Sequence, residues 1–505
     1  MEGWRPRQPQ CEENRERNCK LQIEDCKMKT RIAILSFSDG RPRVHAGLLP
    51  VIKKHEANIA AALEGLGAQP VAGEDVIHTP RMAVREAKRL LGLDVAAVVF
   101  NIPVFAFPNL SVITADILQK PIAICSPGEP GLPGMGGMLA AGGALEQTGH
   151  FQTRIWGSLA RGDARRDLAV FVRAAGARHA LRGQVYGQIG GRSIGMLTGV
   201  ATGAAEWHRV FGVDCDHVDE SEILRLAEKV PARERERIVT WLERQCGGVA
   251  YASGTKLTRQ TLQRQAACAT AVKRIIREHE FDFISIKCHY DLSEYYCTQC
   301  LSAAFLPSCC DWDGVREPVA CACEADGDGA LTMQIMQLIT GLPALFMDLR
   351  HYDAAQRRWT FCNCGGMSVF YAGREQDSKK NLRKLKLVPV IPKYAGDGCH
   401  VRYLGTPGPL TCARLMHDAQ GLCLMMFRAE ALRAKEQWLG ASCPAWPHVF
   451  ATVPHDAREI LQMLHANHIH AVAGDCVAEL ALFARLLGIR VVTPQTSAPG
   501  IKRRG

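Results

Sequence analysis

The stretch Arg31-Ile-Ala-Ile-Leu-Ser-Phe37 has the composition of a buried β-strand and ends at the turn residues Ser38-Asp-Gly40. Helical patterns and short apolar runs alternate after it. Helices are predicted near Ile59–Leu66 and Met82–Leu91, and strands around Val71, at Ala96–Phe100 and at Pro121–Cys125. Because strands that alternate with helices form parallel sheets, the pattern predicts an α/β domain over residues 31–175.

A second α/β domain is predicted over residues 176–345. Ser193–Leu197 is interpreted as its first strand, followed by helices near Glu220–Ala227 and Gln260–His279 and by the buried strand Phe281–Lys287. The many glycines between Gly183 and Gly195 would then precede a strand. The dinucleotide-binding fingerprint instead joins a strand to a helix, so the sequence does not support a nicotinamide site.

The sequence pattern of residues 346–505 differs from that of the two α/β domains, because turn residues separate short apolar runs. Strands are predicted at Trp359–Phe361, Met367–Tyr371, Lys386–Ile391 and Val401–Tyr403. The predicted fold is therefore two Rossmann-like parallel α/β domains followed by a β-rich, barrel-like C-terminal domain. Residues 1–30 carry charge of both signs and little apolar content, and we expect a disordered leader there.

The bulk composition is that of a globular protein that is neither secreted nor embedded in a membrane. The chain has 505 residues, of which 47% are hydrophobic and 22% are charged. No apolar run approaches the roughly 20 residues of a membrane helix, and the polar N-terminus lacks the apolar segment of a secretory signal. The 21 cysteines are then best interpreted as reduced thiols in the cytoplasm.

The net charge of +10 requires a test for nucleic-acid binding. The basic residues are scattered, with small clusters at Arg161–Arg166, Lys379–Lys386 and Lys502–Arg504. None of these clusters is interleaved with aromatic residues in the manner of a base-stacking platform. The pattern argues against a nucleic-acid partner, and it suits a small anionic or sugar-like substrate or simple solubility.

Two carboxylates and a distant histidine form the pattern that is most indicative of chemistry. Glu324 lies in Cys323-Glu-Ala-Asp-Gly-Asp-Gly329, and Asp348 follows the apolar segment Ala330–Phe346, so each acid stands at an end of a buried element. With His468 as third ligand they would suit Mn²⁺, Mg²⁺ or Fe²⁺ and leave positions open for substrate. The alternative is that both acids are ordinary helix or strand caps and that His468 is a core histidine.

The histidine cluster His465-Ala-Asn-His468-Ile-His470 precedes an apolar run. On a strand, His468 and His470 would share a face, with His465 pointing away. Asn467 and His468 have the position of a ligand pair at the start of a strand. His470 would then support a ligand or be no more than a satisfied imidazole.

The cysteines between residues 297 and 323 permit a second metal hypothesis. Cys297-Thr-Gln-Cys300, Cys309-Cys310 and Cys321-Ala-Cys323 resemble a structural zinc pattern. The alternative is that these thiols fill a tightly packed core, because the chain uses cysteine freely elsewhere as well.

Four polar or aromatic residues follow predicted strands and are candidates for substrate binding. Arg41 follows the first strand, Asn101 and Phe105 follow Ala96–Phe100, and His289 follows Phe281–Lys287. Open α/β sheets bind ligands beyond the carboxyl ends of their strands, so each candidate stands where a pocket wall is expected. The alternative for each is a packed or solvated loop residue.

The chain resembles the L-fucose/L-arabinose isomerase family of Mn²⁺-dependent aldose–ketose isomerases. The resemblance spans most of residues 30–495. It is carried by an ordered set of motifs: Ile34-Leu-Ser-Phe-Ser-Asp-Gly-Arg41, Val99-Phe-Asn101 with Phe105-Ala-Phe-Pro108, Gly136-Gly-Met-Leu-Ala-Ala-Gly-Gly-Ala-Leu145, Arg154-Ile-Trp-Gly157, Gly191-Arg-Ser-Ile-Gly-Met196, Trp207 through Phe211-Gly212, Phe281-Asp-Phe-Ile-Ser-Ile-Lys-Cys288, Glu324 with Ala330-Leu-Thr332, Met347-Asp348 and Asn467-His468.

The resemblance implies that Glu324, Asp348 and His468 hold Mn²⁺, with Mg²⁺, Co²⁺ or Fe²⁺ as substitutes. It also implies that the two acids form the proton-transferring pair, whose pKa values we expect to be pushed apart. Arg41, Asn101, Phe105, His289 and Asn467 would contact the sugar. The chain would form a homo-hexamer or homo-trimer in which neighbouring subunits complete each site.

Two departures from the family pattern leave the substrate open. This chain has Phe105 where relatives tend to have tryptophan, and His289 where they tend to have glutamine. The function we expect is interconversion of an aldose and its ketose through an ene-diolate, on L-fucose or on D- or L-arabinose. The alternatives are the same reaction on a modified or sulfonated sugar, and a sugar-binding relative without catalysis.

Overall fold

The computed structural model describes residues 30–197 and 203–494. The predicted leader up to residue 29 and the basic cluster Lys502–Arg504 lie outside the described residues. The chain divides into two compact units, Met1–Ala175 and Gly176–Gly505. The further division of the second unit into a central and a C-terminal domain, at residue 345, stays a prediction.

The first unit contains a five-stranded parallel sheet with strand order β2-β1-β3-β4-β5. Strands β1, β3 and β4 are buried along their whole length or nearly so, which explains their near-continuous apolar sequences. The elements in chain order are β1 (Arg31–Ser36), α1 (Pro42–Glu64), β2 (Gln69–Ala72), α2 (Pro80–Leu91), β3 (Ala97–Asn101), α3 (Pro108–Leu118), β4 (Ile122–Ser126), α4 (Gly134–Gln147), β5 (Gln152–Trp156) and α5 (Asp163–Leu181), which runs past the boundary between the units.

The second unit begins with another parallel sheet, of four strands in the order β11-β8-β6-β7. The elements are β6 (Val185–Ile189), α6 (Ala204–Phe211), β7 (Asp214–Val218), α7 (Ser221–Glu228), α8 (Ala232–Gln245), α9 (Arg259–Glu278), β8 (Phe283–Ile286), α10 (Asp291–Tyr295), α11 (Cys300–Phe305), the short pair β9 (Cys310–Asp311) and β10 (Gly314–Val315), β11 (Cys321–Cys323) and α12 (Gly327–Thr340).

The rest of the second unit is built around a seven-stranded mixed sheet in the order β16-β19-β12-β13-β18-β17-β20. Strand β16 also pairs with β17, so six of the strands form a closed circuit of antiparallel ladders. The elements are β12 (Leu345–Asp353), β13 (Arg358–Cys362), α13 (Ser378–Leu382), the separate pair β14 (Lys386–Pro389) and β15 (Cys399–Arg402), β16 (Gly408–Asp418), β17 (Gly421–Ala431), β18 (His448–Thr452), α14 (Ala457–Met463), β19 (His468–Ala473), α15 (Val477–Leu486) and β20 (Arg490–Val492).

The predicted mixed α/β class, with parallel sheets and a C-terminal region rich in strands, is confirmed. The first strand of the second unit was misplaced, because it lies at Val185–Ile189 and not at Ser193–Leu197. Its sequence, Val-Tyr-Gly-Gln-Ile, lacks a continuous apolar run. The glycines at 190 and 191 therefore follow a strand, and the order on which the argument about a nicotinamide site rested is wrong.

Three further differences from the predicted elements concern the second unit. Met367–Tyr371 is not a strand, because Val369–Ala372 forms a turn of 3-10 helix. Helix α8, which is highly charged, was not predicted. The long hairpin β16–β17, joined by Ala419 and Gln420, was also missed, although it supplies two strands of the large sheet.

No helix within residues 30–197 and 203–494 combines the length and the apolar character that crossing a membrane requires.

Gly187, in the middle of β6, provides a test of packing between β6 and the segment before β8. A Cβ atom at this position would lie 2.2 Å from the Phe281 ring, whereas one at Gly191 would meet nothing within 4 Å. We expect Gly187→Ala to lower the free energy of unfolding by about 1–3 kcal/mol, through overpacking. Urea unfolding followed by circular dichroism measures this, with Gly191→Ala as the control, and equal midpoints for the two variants would contradict the packing described.

Candidate active site

Asp348 and His468 meet because their strands pair. Strands β12 and β19 are antiparallel, with Asp348 directly opposite His468, and opposed residues of this kind have Cβ atoms about 5 Å apart. His468 Nε2 lies 3.7 Å from Asp348 Oδ1. Asn467 donates from Nδ2 to the same carboxylate oxygen, at 3.4 Å. The register of this ladder thus brings three of the predicted site residues together.

Glu324 reaches the same point from the parallel sheet. It follows β11 at the turn into α12, where both Glu324 and Ala325 have left-handed backbone, with φ of 59° and 55°. Such conformations are unfavourable by about 1–3 kcal/mol each and concentrate at functional sites. Glu324 Oε2 lies 3.2 Å from His468 Nε2. The two predicted carboxylates therefore converge on one imidazole nitrogen.

Asp326 organises this arrangement, and sequence reasoning did not single it out. Its Oδ2 lies 2.7 Å from His468 Nδ1, and its Oδ1 accepts hydrogen bonds from Arg414 Nη2 at 3.0 Å and from the Gly329 amide at 2.8 Å. The last of these bonds caps α12. Because the Nδ1–H of His468 donates to Asp326, Nε2 faces the two other acids.

Glu324 and Asp348 have pKa values that are shifted in different directions by their surroundings. Burial raises the pKa of Asp348 to about 6, and the charge of Glu324 adds to this rise. Burial also raises the pKa of Glu324, but the hydrogen bond and charge of His468 more than offset it, so that pKa lies below its usual value. The two pKa values move in opposite directions, as expected for two acids with different roles in proton transfer.

The pKa values of His468 and Asp326, which lie next to the two acids, are shifted as well. Burial alone would lower the pKa of His468, but hydrogen bonds with Asp326 and Glu324 raise it to about 10. Burial likewise opposes ionisation of Asp326, yet Arg414 and His468 hold the pKa of that carboxyl far below its usual range. Asp326 and Arg414 therefore form a buried ion pair.

His470 shares a strand face with His468, as the sequence predicted. Phe346 packs against both rings, with centroid separations of 4.4 Å to His468 and 5.3 Å to His470. His470 Nε2 lies 2.9 Å from Arg414 Nη1 and accepts a hydrogen bond from it. Burial and the charge of Arg414 lower its pKa well below the usual value, which fits an accepting, neutral ring. His470 thus supports Arg414.

His289 lies on the other side of Glu324. It follows β8, which is the parallel neighbour of β11, so the two strand ends bring these residues close together. His289 Nε2 lies 3.7 Å from Glu324 Oε1, 3.3 Å from Cys364 Sγ and 3.3 Å from Tyr394 Oη. Cys364 Sγ donates to Glu324 Oε1 at 3.6 Å. The two oxygens of Glu324 therefore face two different sets of ligand atoms.

The cysteines that were considered as zinc ligands, Cys297 and Cys300, contact different partners. Cys297 Sγ lies 3.6 Å from Cys268 Sγ, whereas Cys300 Sγ lies 3.4 Å from His400 Nδ1. Within the described residues, the trio of potential ligands whose atoms all lie within 4.8 Å of one another is His289, Glu324 and Cys364. It contains no member of the cluster between residues 297 and 323. The structure thus favours the interpretation of those thiols as core residues.

Three predicted substrate contacts belong to the first unit. The side chain of Arg41 is 69% exposed and forms an ion pair with the buried Asp39. Asn101 is fully buried, donates to Ser36 Oγ and bonds His55 Nδ1. Phe105 is 42% exposed. The role of each in binding a sugar stays a prediction.

The residues present fit a divalent cation. His468 Nε2 is buried and faces Glu324 Oε2 at 3.2 Å and Asp348 Oδ1 at 3.7 Å. Two carboxylate oxygens and one imidazole nitrogen are the donor set that hard and borderline divalent ions prefer. The rear nitrogen of the imidazole is held by Asp326, as is usual for a histidine that binds a metal.

Sequence reasoning missed Arg414, Asp326 and Cys364, although the sequence contains a usable signal for the first of them. Arg414 is a single charge inside the apolar run Leu410–Met416, and a buried charge of this kind requires a partner. Asp326 has the sequence position of a helix cap, which concealed its second contact with His468. Cys364 carries no distinguishing local pattern.

Models of known families match both ends of the described chain. Residues 29–183 match the L-fucose isomerase first N-terminal domain, and residues 361–494 match the L-fucose isomerase C-terminal domain. Together these matches cover more than half of the 505 residues.

A sulfoquinovose isomerase from Alkalicoccus urumqiensis is 25% identical over 296 residues, which is 57% of this chain and 60% of that protein. A solute-binding protein of an ABC transporter from Agrobacterium vitis, bound with alpha-D-tagatopyranose, is 12% identical and covers 62% of this chain and 90% of its own, with a TM-score of 0.16. That score is too low for any argument about fold. On the two domain matches, the chain belongs to the L-fucose isomerase family.

Proposed function

We propose that the protein is a metal-dependent ketol isomerase, which interconverts a free aldose and its ketose through an ene-diolate. The observation that carries the proposal is the convergence of Glu324 Oε2 and Asp348 Oδ1 on the buried Nε2 of His468, at 3.2 and 3.7 Å. Family membership supports the same reaction class. Simple sugar binding does not require two acids beside a buried imidazole that is oriented in this way.

Glu324, Asp348 and His468 would hold the cation, and we propose Mn²⁺, with Mg²⁺, Co²⁺ or Fe²⁺ as substitutes. When bound, the cation would supply Lewis acidity that polarises the sugar carbonyl. The two acids would move the protons, one at carbon and the other at oxygen. The pKa of Glu324 is lowered and that of Asp348 is raised, which supports different proton-transfer roles for the two acids. No organic cofactor is needed, since the substrate neither gains nor loses electrons overall.

For the substrate we propose L-fucose or D- or L-arabinose, contacted in the second unit by His289 and Asn467. For the first unit we propose, separately, that Arg41, Asn101 and Phe105 bind sugar. The similarity to a sulfoquinovose isomerase favours a second candidate, the same reaction on a sulfonated sugar. The net charge of +10 and the imidazole of His289 beside Glu324 are both compatible with an anionic group on the substrate.

Three further properties belong to the proposal. We place the protein in the cytoplasm, which the free thiols of cysteines such as Cys125, Cys246 and Cys321 support. We expect a homo-hexamer or homo-trimer, on the resemblance alone. We also propose that the C-terminal sheet has a barrel-like form, which the closed circuit of strand pairings supports.

The reaction and the substrate can be tested together. Protein stripped of metal would be assayed with and without added Mn²⁺ against L-fucose, D-arabinose, L-arabinose and sulfoquinovose. We expect ketose to form with one of these sugars only after Mn²⁺ is restored. A protein that binds these sugars but forms no ketose with any metal would instead favour a non-catalytic sugar-binding relative.

Glu324→Gln tests the assignment of the acid–base pair. Because the amide is isosteric but cannot carry the proton, we expect the variant to keep its fold and to lose at least about 100-fold in kcat. Circular dichroism and the initial rate of ketose formation provide the two measurements. Glu206→Gln, which changes a partly buried acid on α6, is the control. Retention of more than about a tenth of the activity by the first variant would remove Glu324 from the pair.

Asp326→Asn tests the support behind His468. Loss of the charge on Asp326 would weaken the orientation of the imidazole, and we expect Mn²⁺ affinity to fall about 10–100-fold. Calorimetric titration of the folded variant measures the affinity. Asp328→Asn is a matched control, because Asp328 is also buried on α12 but contacts His417. Unchanged Mn²⁺ affinity in the first variant would show that Asp326 does not position the ligand.

A further inference from the structure

Glu324 has two faces, and the proposed isomerase site uses one of them. Its Oε2 faces His468 of the proposed catalytic metal site, whereas its Oε1 lies 3.6 Å from Cys364 Sγ and 3.7 Å from Nε2 of His289, a proposed sugar contact. The remaining distance of this triangle, between His289 Nε2 and Cys364 Sγ, is 3.3 Å. Glu324 and His289 are buried, and Cys364 is partly buried.

These distances match the edges of a tetrahedral metal site. With metal–sulfur distances of about 2.3 Å and metal–nitrogen or metal–oxygen distances of about 2.0–2.1 Å, ligand atoms at tetrahedral angles lie about 3.3–3.6 Å apart. The three observed separations fall at or close to this range. A cation could therefore bind with little movement of the side chains, and its fourth position would remain for water.

The imidazole of His289 is also oriented to act as a ligand. Ser293 Oγ donates its hydrogen to the carbonyl of Tyr290 at 3.1 Å, so it can accept the Nδ1–H of His289, also at 3.1 Å. The lone pair of Nε2 then faces Cys364, Glu324 and the hydroxyl of Tyr394, which a bound cation would displace from Nε2. The backbone carbonyl of His289 is held in turn by Ser193 Oγ at 2.8 Å. A rear nitrogen fixed by a hydrogen bond is the usual arrangement for a histidine ligand.

We propose that His289, Glu324 and Cys364 form a second site, which binds a thiophilic divalent cation such as Zn²⁺ or Cd²⁺ and thereby arrests the isomerase. The selectivity follows from the donors, because a thiolate favours these ions strongly over Mn²⁺ or Mg²⁺. On binding, the thiol proton of Cys364 passes to solvent as the sulfur–metal bond forms, with no change in oxidation state. The arrest rests on the proposed function, since a Glu324 carboxylate bound to the thiophilic cation can no longer exchange a proton with the sugar. The binding itself does not rest on it.

Cadmium binding tests the site independently of activity. The full-length protein, kept reduced without a thiol reagent, would be titrated with Cd²⁺, and the thiolate-to-cadmium absorbance would be recorded in the ultraviolet. We expect Cys364→Ala to lose the tightest equivalent of this signal. Cys246→Ala should retain it, because the thiol of Cys246 is also shielded from solvent but lies at the end of α8. Identical titrations of the two variants would overturn the site.

Inhibition by Zn²⁺ tests whether binding at the second site arrests the isomerase. At a fixed Mn²⁺ concentration, we expect Zn²⁺ to inhibit the native enzyme, and Cys364→Ala to raise the half-inhibitory concentration at least about 10-fold relative to its own uninhibited rate. Excess Mn²⁺ should not relieve the inhibition. Relief by Mn²⁺, with equal sensitivity in the variant, would place Zn²⁺ at the Glu324–Asp348–His468 site and overturn the proposed arrest.

The two readouts separate this proposal from the proposed function. If no sugar is isomerised under any condition but the cadmium signal depends on Cys364, the isomerase assignment fails and the thiophilic site stands. If isomerisation requires Mn²⁺ but the cadmium signal is unaffected by Cys364→Ala, the second site fails alone. Should Cys364→Ala fold but lose all activity, the cadmium titration still decides whether the site exists.

Discussion

The buried ion pair between Asp326 and Arg414 is the interaction on which the candidate site depends. It joins three parts of the second unit, because Asp326 caps α12, Arg414 lies on β16 and both contact histidines of β19. Breaking such a pair by removing one partner is unfavourable by about 3–5 kcal/mol, since the remaining charge is left buried and uncompensated. The pair therefore links the start of α12 to the large sheet, at the point where Glu324, Asp348 and His468 converge.

Much of the fold could be predicted from local patterns. Alternating helices and buried strands indicated the parallel sheets, and the apolar segment between Glu324 and Asp348 indicated a helix followed by a strand. The failures share a physical cause, namely that packing overrides composition. Strand β6 contains glycine because Phe281 occupies the space above it, and β16 carries a charge because Asp326 lies opposite. Neither partner is a neighbour in sequence, so neither feature could be predicted from the strand alone.

The three side chains that converge at the candidate site could be singled out from the sequence, whereas the residues that hold them in place could not. Glu324, Asp348 and His468 stand at the ends of elements, where the resemblance and the chemistry of their side chains identified them. Cys364 comes close to Glu324 only through the tertiary fold, and it gives that carboxylate a second environment. His289, one of the two departures from the family pattern, borders both the sugar site that we propose and the thiophilic site. If both proposals hold, His289 would influence substrate preference and metal sensitivity through the same carboxylate.

The central claim is that Glu324, Asp348 and His468 bind the catalytic cation together. Crystals grown with Mn²⁺ and measured at the manganese absorption edge would test it most directly, because anomalous scattering locates the ion without reference to activity. The account predicts one strong peak in contact with Glu324 Oε2, Asp348 Oδ1 and His468 Nε2. A peak bound by other residues, or none at this point in crystals of an enzyme that Mn²⁺ activates, would contradict it.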